Sequence, residues 1–261
     1  MEPPAPRSSG ALNFTRPTEF VQLPTKGRFY PEGHPLHLVT EVEINYMSAK
    51  EEDILTSQAL INRGIVIERF IQSVLVDQSI DVNSLYPGDK NAILIAARAT
   101  GYGPEYDTMV VCPACNHRHE HSVDLVNLPI KEAPEDINLS AEGTFSVQLP
   151  VTKFMAELKI LTATEQRYLE NNKQTNRKNN LPESNRTDFL KMVVVSINSI
   201  RDRLEIEQFI DNMPALDSIT IRKTYDDVEP SLLMDQETEC PKCQHVVVRE
   251  VPLGITFLWP S

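Results

Sequence analysis

The residues with the clearest chemistry in this sequence are its four cysteines, which form two Cys-Pro-x-Cys pairs. The first pair is Cys112 and Cys115, and the second is Cys240 and Cys243. A structural Zn²⁺ ion takes four ligands in a tetrahedron, and a Cys-x-x-Cys turn supplies two thiolates from one short loop. Two such turns complete one site, so the spacing predicts a single zinc held by all four cysteines. Because that site is closed to water, it would stabilise a fold and would not hydrolyse a substrate.

Three other interpretations of the cysteine pairs stay open at this point. A redox pair needs a low-pKa cysteine at a helix N-terminus, whereas the residues after both pairs are typical of a turn followed by a strand. Two separate zinc sites would need histidines as further ligands, and the candidates are His117, His119, His121 and His245. In the third interpretation, the thiols are simply small buried apolar groups. We favour the single site with four cysteines.

No other pattern in the sequence predicts catalysis. There is no glycine loop of the kind that cradles phosphate, and there is no nucleophile elbow. The acidic run at residues 51–53 lies in the first turn of a predicted helix, where the helix dipole favours carboxylates. We therefore expect no catalytic residues, no enzymatic activity and no small-molecule substrate.

Composition narrows the class of protein further. The chain has 261 residues, of which 41% are hydrophobic, and this is enough for one large domain or two modest ones. A formal charge of -12 has the wrong sign for tracking a phosphate backbone, so nucleic-acid binding is disfavoured. No apolar run reaches the roughly 18 residues of a membrane span, and the proline-rich N-terminus is not a secretory signal. We expect a soluble protein of a reducing cytoplasm, where disulfides are a poor explanation for cysteines.

Helical patterns recur in the two halves of the chain. Capping boxes at Ser48 with Glu51 and at Thr162 with Glu165 begin comparable helices. The predicted helices of the first half span 49–61, 65–76 and 89–100, and those of the second half span 163–172, 189–200 and 217–228. The two cysteine pairs follow at the same distance in each half. We infer an internal duplication of a three-helix unit with a cysteine knuckle, arranged about a twofold axis near the metal.

The first 35 residues hold seven of the 19 prolines and little periodic pattern, which predicts an extended N-terminal arm. Aromatic side chains dominate interface hot spots, so the candidate partner-binding residues are Phe14, Phe20, Phe29 and Tyr30. The expected division is an arm at 1–35, a first helical repeat with its knuckle at 36–128, a connecting β segment at 129–160, and a second repeat at 161–261. The predicted fold is mainly α with small β elements (α+β), in which two helical repeats are joined by a zinc-ribbon-like pair of knuckles.

Four segments carry a resemblance to a known family, and they are LPTKGRFYPEG at 23–33, the helix start at 48–55, GDKNAILIAARATGYG at 88–103 and VCPAC at 111–115. Together they resemble the T4-like bacteriophage baseplate family, which is associated with the baseplate hub. The resemblance spans roughly residues 20–128, with the second half as a diverged continuation. It implies a non-enzymatic structural protein of a contractile phage tail, assembled in the host cytoplasm and located in the virion tail baseplate.

The resemblance also implies the partners, which are other phage tail and baseplate proteins. It does not distinguish a particle component from a hub assembly chaperone that is absent from the mature particle. A zinc-ribbon nucleic-acid-binding protein is a further alternative. It would need a basic face beside the knuckles, and the few basic residues there stand against the net charge of -12.

Overall fold

The computed structural model describes residues 15–180, 184–251, 253 and 255–258. In this part of the chain the α-helices are α1 (Ala49–Thr56), α2 (Gln58–Asn62), α3 (Val66–Val74), α4 (Pro87–Tyr102), α5 (Ala163–Lys178), α6 (Asn185–Val193), α7 (Arg203–Asn212) and α8 (Ala215–Val228). The strands are β1 (Thr18–Gln22), β2 (Glu41–Asn45), β3 (Glu105–Val111), β4 (Arg118–Asp124), β5 (Ile130–Lys131), β6 (Phe145–Gln148), β7 (Met155–Leu158), β8 (Val194–Ile197), β9 (Ser231–Leu232), β10 (Asp235–Glu239) and β11 (Val246–Glu250). Two short 3-10 helices lie at Val82–Ser84 and Ile255–Leu258.

The strands form small antiparallel sheets distributed along the whole chain. Four of these sheets, within the described residues, have two strands each (β1 with β2, β3 with β4, β5 with β9, and β10 with β11), and a fifth has the order β6-β7-β8. The fold is therefore a mixed α+β fold, and the prediction of a mainly α protein was wrong. The predicted strands beside the cysteines were short, whereas exposed and less exposed residues alternate along all of β3 and β4, as in a half-buried hairpin.

The prediction of two helical repeats was also wrong. The stretch expected to form one helix over 189–200 is helical only to Val193, continues as strand β8, and pairs with β7. Helix α7 then intervenes before α8. The run of β-branched residues at 193–195 explains the strand, because such side chains pack well on a pleated sheet and lose rotamer freedom in a helix. The predicted helix 65–76 of the first half also stops early, since α3 ends at Val74, but there Leu75 forms only an isolated bridge with Ile44 of β2.

Nor do the described N-terminal residues form an extended arm. Strand β1 pairs with β2, and the turns between them carry Phe29 and Tyr30 into the core, where both are almost fully buried. The positive φ angles of Lys26 and Gly27 mark one of these turns. Proline and glycine punctuate compact turns as well as linkers, and this ambiguity produced the wrong prediction.

A buried aspartate fixes the start of α4, the helix that leads to the first cysteine hairpin. The Asp89 carboxylate accepts hydrogen bonds from the Thr25 amide (3.0 Å), the Thr25 hydroxyl (2.6 Å) and the Tyr30 hydroxyl (2.8 Å). Burial raises the pKa of Asp89, and these bonds oppose that shift. The turns between β1 and β2 are thereby attached to α4.

A second buried aspartate has the same place in α8, the helix that leads toward the second cysteine hairpin. Asp217 accepts hydrogen bonds from the amides of Val151 (2.8 Å) and Thr152 (3.1 Å). Burial opposes ionisation of Asp217, but the two amides outweigh it and lower the pKa of the carboxyl. Both helices are therefore held at their first turn by a carboxylate that bonds to a remote loop.

One connected cluster of buried apolar side chains includes residues from both halves of the chain, from Val21 to Leu258. Arg98 of α4 lies within this region and is itself buried. Its Nε donates to the Phe257 carbonyl (2.9 Å), and its guanidinium stacks 4.7 Å from the centre of the Tyr106 ring. Arg98 therefore ties α4 to the base of β3. The domain boundaries expected from the sequence stay predictions.

We predict that Asp89→Ala lowers the free energy of unfolding by about 3 kcal/mol, because three buried donors lose their acceptor. Urea denaturation of the full chain measures this change. The control is Asp53→Ala, which removes an exposed carboxylate from α1 and should change stability by less than about 0.5 kcal/mol. An Asp89→Ala protein as stable as the control would contradict the assigned role of Asp89.

Candidate metal centre

The first cysteine pair lies in the turn that joins β3 to β4. The two strands pair antiparallel up to Val111 and Arg118. The Cys112 amide then donates to the His117 carbonyl (2.9 Å), and the Asn116 amide donates to the Cys112 carbonyl (2.9 Å). Asn116 has a φ of 54°, in the left-handed region that asparagine enters more readily than most residues. These bonds close a tight turn with both thiols on it.

The second pair lies in the corresponding turn between β10 and β11. The Cys240 amide donates to the His245 carbonyl (3.0 Å), and the Gln244 amide donates to the Cys240 carbonyl (2.8 Å). Gln244 has a φ of 58°, again in the left-handed region. The two hairpins therefore present their cysteines from turns of the same local geometry, and neither pair begins a helix as a thioredoxin-like redox site requires.

The fold brings the four sulfur atoms together. The Sγ atoms of Cys112 and Cys243 are 3.6 Å apart, and those of Cys115 and Cys240 are 3.7 Å apart. All four Sγ atoms lie within 4.8 Å of one another. In a tetrahedral site with metal–sulfur bonds of about 2.3 Å, neighbouring sulfurs are about 3.8 Å apart. These separations are far longer than a disulfide bond of about 2.05 Å, and the cysteines are free. The arrangement therefore fits one tetrahedral metal ion.

Electrostatics inside the cluster favour a bound cation. Burial raises the pKa of the Cys112 thiol, but the amides of Cys115 and Ala114 and the neighbouring thiols lower it to about 6. The amide of His245 lowers the pKa of the Cys243 thiol, but the surrounding thiols raise it to about 12. The Cys112 thiol therefore ionises readily, whereas ionisation of a second thiol in the cluster is opposed. The positive charge of a divalent cation would offset that opposition, and its binding would release the thiol protons.

Exposure differs across the cluster. Cys112 and Cys240 are buried, Cys115 is partly exposed, and Cys243 is exposed. The site therefore has a protected side facing the hairpins and an open side from which an ion can enter. Among the described residues, the one group that could hold a metal consists of these four cysteines and includes no histidine.

The histidines near the cysteines have other positions. His119 and His121 lie on the less exposed face of β4, and both ring nitrogens of His119 are buried without a hydrogen-bond partner among the described residues. His117 stacks parallel to His119, with ring centres 6.1 Å apart. The structure therefore does not support two separate sites completed by His117, His119, His121 or His245.

One contact between the hairpins was not expected from the sequence. The Arg249 guanidinium of β11 donates from Nη2 to the Val111 carbonyl of β3 at 2.7 Å. This bond joins residues 138 positions apart, directly before the first cysteine turn. No local signal could have shown it, because the acceptor is a backbone group of the other hairpin.

The candidate partner-binding aromatic residues differ in how far their side chains are exposed. Phe29 and Tyr30 are core residues, so they cannot serve as surface anchors, and that prediction was wrong for both. Phe20 of β1 is 60% exposed and remains a candidate. Phe14 lies outside the described residues.

Four thiols from two hairpins thus lie close enough to hold one metal ion. The chain matches the family model described as T4 bacteriophage base plate protein over residues 17–253, and it belongs to this family. This confirms the resemblance noted in the sequence and extends it over both cysteine pairs. Comparison with curated proteins and with solved structures finds no match.

Membership of this family assigns the chain a structural role in the phage tail baseplate, among other baseplate proteins. The family is described by a part of the phage particle and by no reaction, which favours a non-enzymatic role. None of the helices in the described part of the chain is long and apolar enough to cross a membrane.

We predict that the purified chain binds one Co²⁺ ion with the strong visible absorption of a tetrahedral thiolate complex. Cys240→Ser should weaken this binding by more than about 100-fold, since loss of even a supporting group outside the ligands costs about 10–100-fold. It should also loosen both hairpins together, because each contributes half of the ligands. The control is Ala114→Ser, which adds a hydroxyl to the first turn and removes no sulfur. Wild-type binding by Cys240→Ser would contradict the four-cysteine site.

Proposed function

We propose that this chain is a structural component of the hub region of a contractile phage tail baseplate. In this proposal, its body is clasped by one Zn²⁺ ion that Cys112, Cys115, Cys240 and Cys243 hold together. The observation that carries the proposal is the convergence of four sulfurs from two distant hairpins in a chain of the baseplate family.

Zinc is the metal that the donor set favours. Four thiolates in a tetrahedron are typical of structural zinc, and they leave no position for a reactive water. The backbone amides that lower the pKa of Cys112 would also support the bound thiolates, as groups outside the ligands do in other metal sites. When bound, the ion would supply cross-linking and charge neutralisation.

The clasp acts between segments that are far apart in sequence. Cys115 and Cys240 are 125 residues apart, and they follow the two helices that Asp89 and Asp217 hold in place. A cross-link between the two hairpins restricts the unfolded chain as a long covalent loop would. The fold benefits from such a link, because each hairpin alone is a marginal two-stranded sheet.

Phe20 is the strongest remaining candidate for contact with a neighbouring subunit. It stands beside an exposed groove whose walls include Ile95 and Ala99 of α4 and also Val126, which is 67% exposed. Exposed aromatic side chains next to an apolar groove are typical of interface anchors. We assign this groove to a contact with another baseplate protein.

Mass spectrometry of purified virions tests the proposal, together with zinc analysis of the purified chain. We expect the chain to be present in mature particles and the protein to contain one zinc per chain. Presence only in infected-cell extracts would instead favour a hub assembly chaperone. Purification with bound nucleic acid would favour the zinc-ribbon alternative. Absence of zinc from protein purified without chelators would contradict the clasp.

We predict that Phe20→Ala reduces incorporation into baseplates roughly 30-fold, which corresponds to a loss of about 2 kcal/mol at an interface. Folding and metal content should stay unchanged, because the Phe20 side chain is mostly exposed. The measurement is quantitative mass spectrometry of purified baseplates from phage that carry the variant. The control is Leu204→Ala, which removes an exposed apolar side chain from α7, outside the groove. Equal incorporation of both variants would remove Phe20 from the interface.

A further inference from the structure

The second cysteine hairpin carries a strand edge with open backbone groups. Strand β11 pairs only with β10 among the described strands. Cys240 and His245 form a hydrogen-bonded pair at the end of the β10–β11 ladder. Bonded and non-bonded pairs alternate along an antiparallel ladder, so the next pair, Glu239 with Val246, is non-bonded. The residues of β11 whose amides and carbonyls point away from β10 are therefore Val246, Val248 and Glu250. No bond from another described residue to these backbone groups is present.

The other strand edges of the two hairpins are less open than that of β11. On β3, the Arg249 guanidinium occupies the Val111 carbonyl. Strands β4 and β10 place charged side chains at their outward positions, including Arg118, Glu120, Glu237 and Glu239. Charged residues on an edge are a common protection against unwanted pairing. The tip of β11 lacks this protection.

The outward positions at the tip of β11 are apolar instead. Val246 and Val248 are each 54% exposed. They lie on one face of a strand with three consecutive valines and no proline or glycine. An exposed edge of this kind is a ready template for another strand. A protein that works in an assembly can keep such an edge if a partner covers it.

The charges around this edge indicate the chemistry of the partner. The exposed face of the hairpin carries four carboxylates, at Asp235, Glu237, Glu239 and Glu250. None of them forms an ion pair within the described residues. No lysine or arginine stands at an exposed-face position of either strand. A complementary strand therefore needs basic side chains on the same face.

We propose that β11 is a strand-addition site for an extended segment of another baseplate protein, with lysine or arginine at alternate positions. The main chain of that segment bonds to the open groups of Val246, Val248 and Glu250, and its apolar residues cover the two valines. Its basic side chains reach the four carboxylates, which gives the contact its specificity. This inference rests on the proposed structural role in the baseplate.

Proline at the edge tests the backbone contact without breaking the hairpin. The Val248 amide points away from β10, so Val248→Pro leaves the β10–β11 ladder intact and removes an outward donor. The matched control is Glu120→Pro, at the equivalent outward position of β4. We expect Val248→Pro to lower incorporation into purified baseplates about tenfold, while the control incorporates like the wild type. Both variants should retain the metal, which shows that the hairpins are folded.

Charge reversal and cross-linking test the identity of the occupant. Glu237→Lys combined with Glu239→Lys should also lower incorporation about tenfold, because the basic segment is then repelled. A photo-cross-linking amino acid at position 248 in wild-type particles should capture a peptide of another baseplate protein with alternating basic residues. Capture of a second copy of this chain, or of a segment without basic residues, would contradict the proposal.

The outcomes separate this inference from the proposed function. If the wild-type chain is present in the particle and Val248→Pro incorporates equally well, the strand-addition site is wrong and the structural role stands. If the wild-type chain is absent from the particle, both are wrong. Loss of incorporation with Val248→Pro and with charge reversal, but not with Glu120→Pro, supports the site.

Discussion

The structure depends on one requirement, which is that four sulfurs on two hairpins meet within 4.8 Å. Each hairpin is a separate two-stranded sheet, and such a sheet is marginal by itself. Several thiolates at these distances would repel one another, because like charges close together oppose ionisation. A bound divalent cation would turn this repulsion into a cross-link. The helices that precede the hairpins serve to bring the two turns to the same place.

Two buried carboxylates explain how the helices are positioned so that the cysteine turns meet. Asp89 and Asp217 each hold the first turn of a long helix against a loop from elsewhere in the chain. Arg98 then connects α4 to the base of the first hairpin. Arg249 joins the two hairpins near the cysteines. Polar contacts over long sequence distances thus prepare the site, and we propose that the metal completes it.

Features that depend on residues close together in the chain could be predicted from the sequence. Both capping boxes exist, since the Ser48 amide bonds to Glu51 and the Thr162 amide bonds to Glu165. The cysteine spacing pointed to a common site. The three valines at 193–195 favour a strand at 194–197 but also fit a buried helix, and the partner strand β7 that decides between them is about 40 residues away. The sequence could not show the burial of Tyr30, which depends on Asp89, 59 residues distant.

Hydrogen exchange before and after metal removal tests most directly whether one ion holds both hairpins. Amide protection reports local stability segment by segment. The account predicts that chelation removes protection from residues 105–124 and 235–250 together, with a single metal released per chain, while α3 at the centre of the core stays protected. Loss of protection in only one hairpin, or in neither, would contradict a shared metal centre.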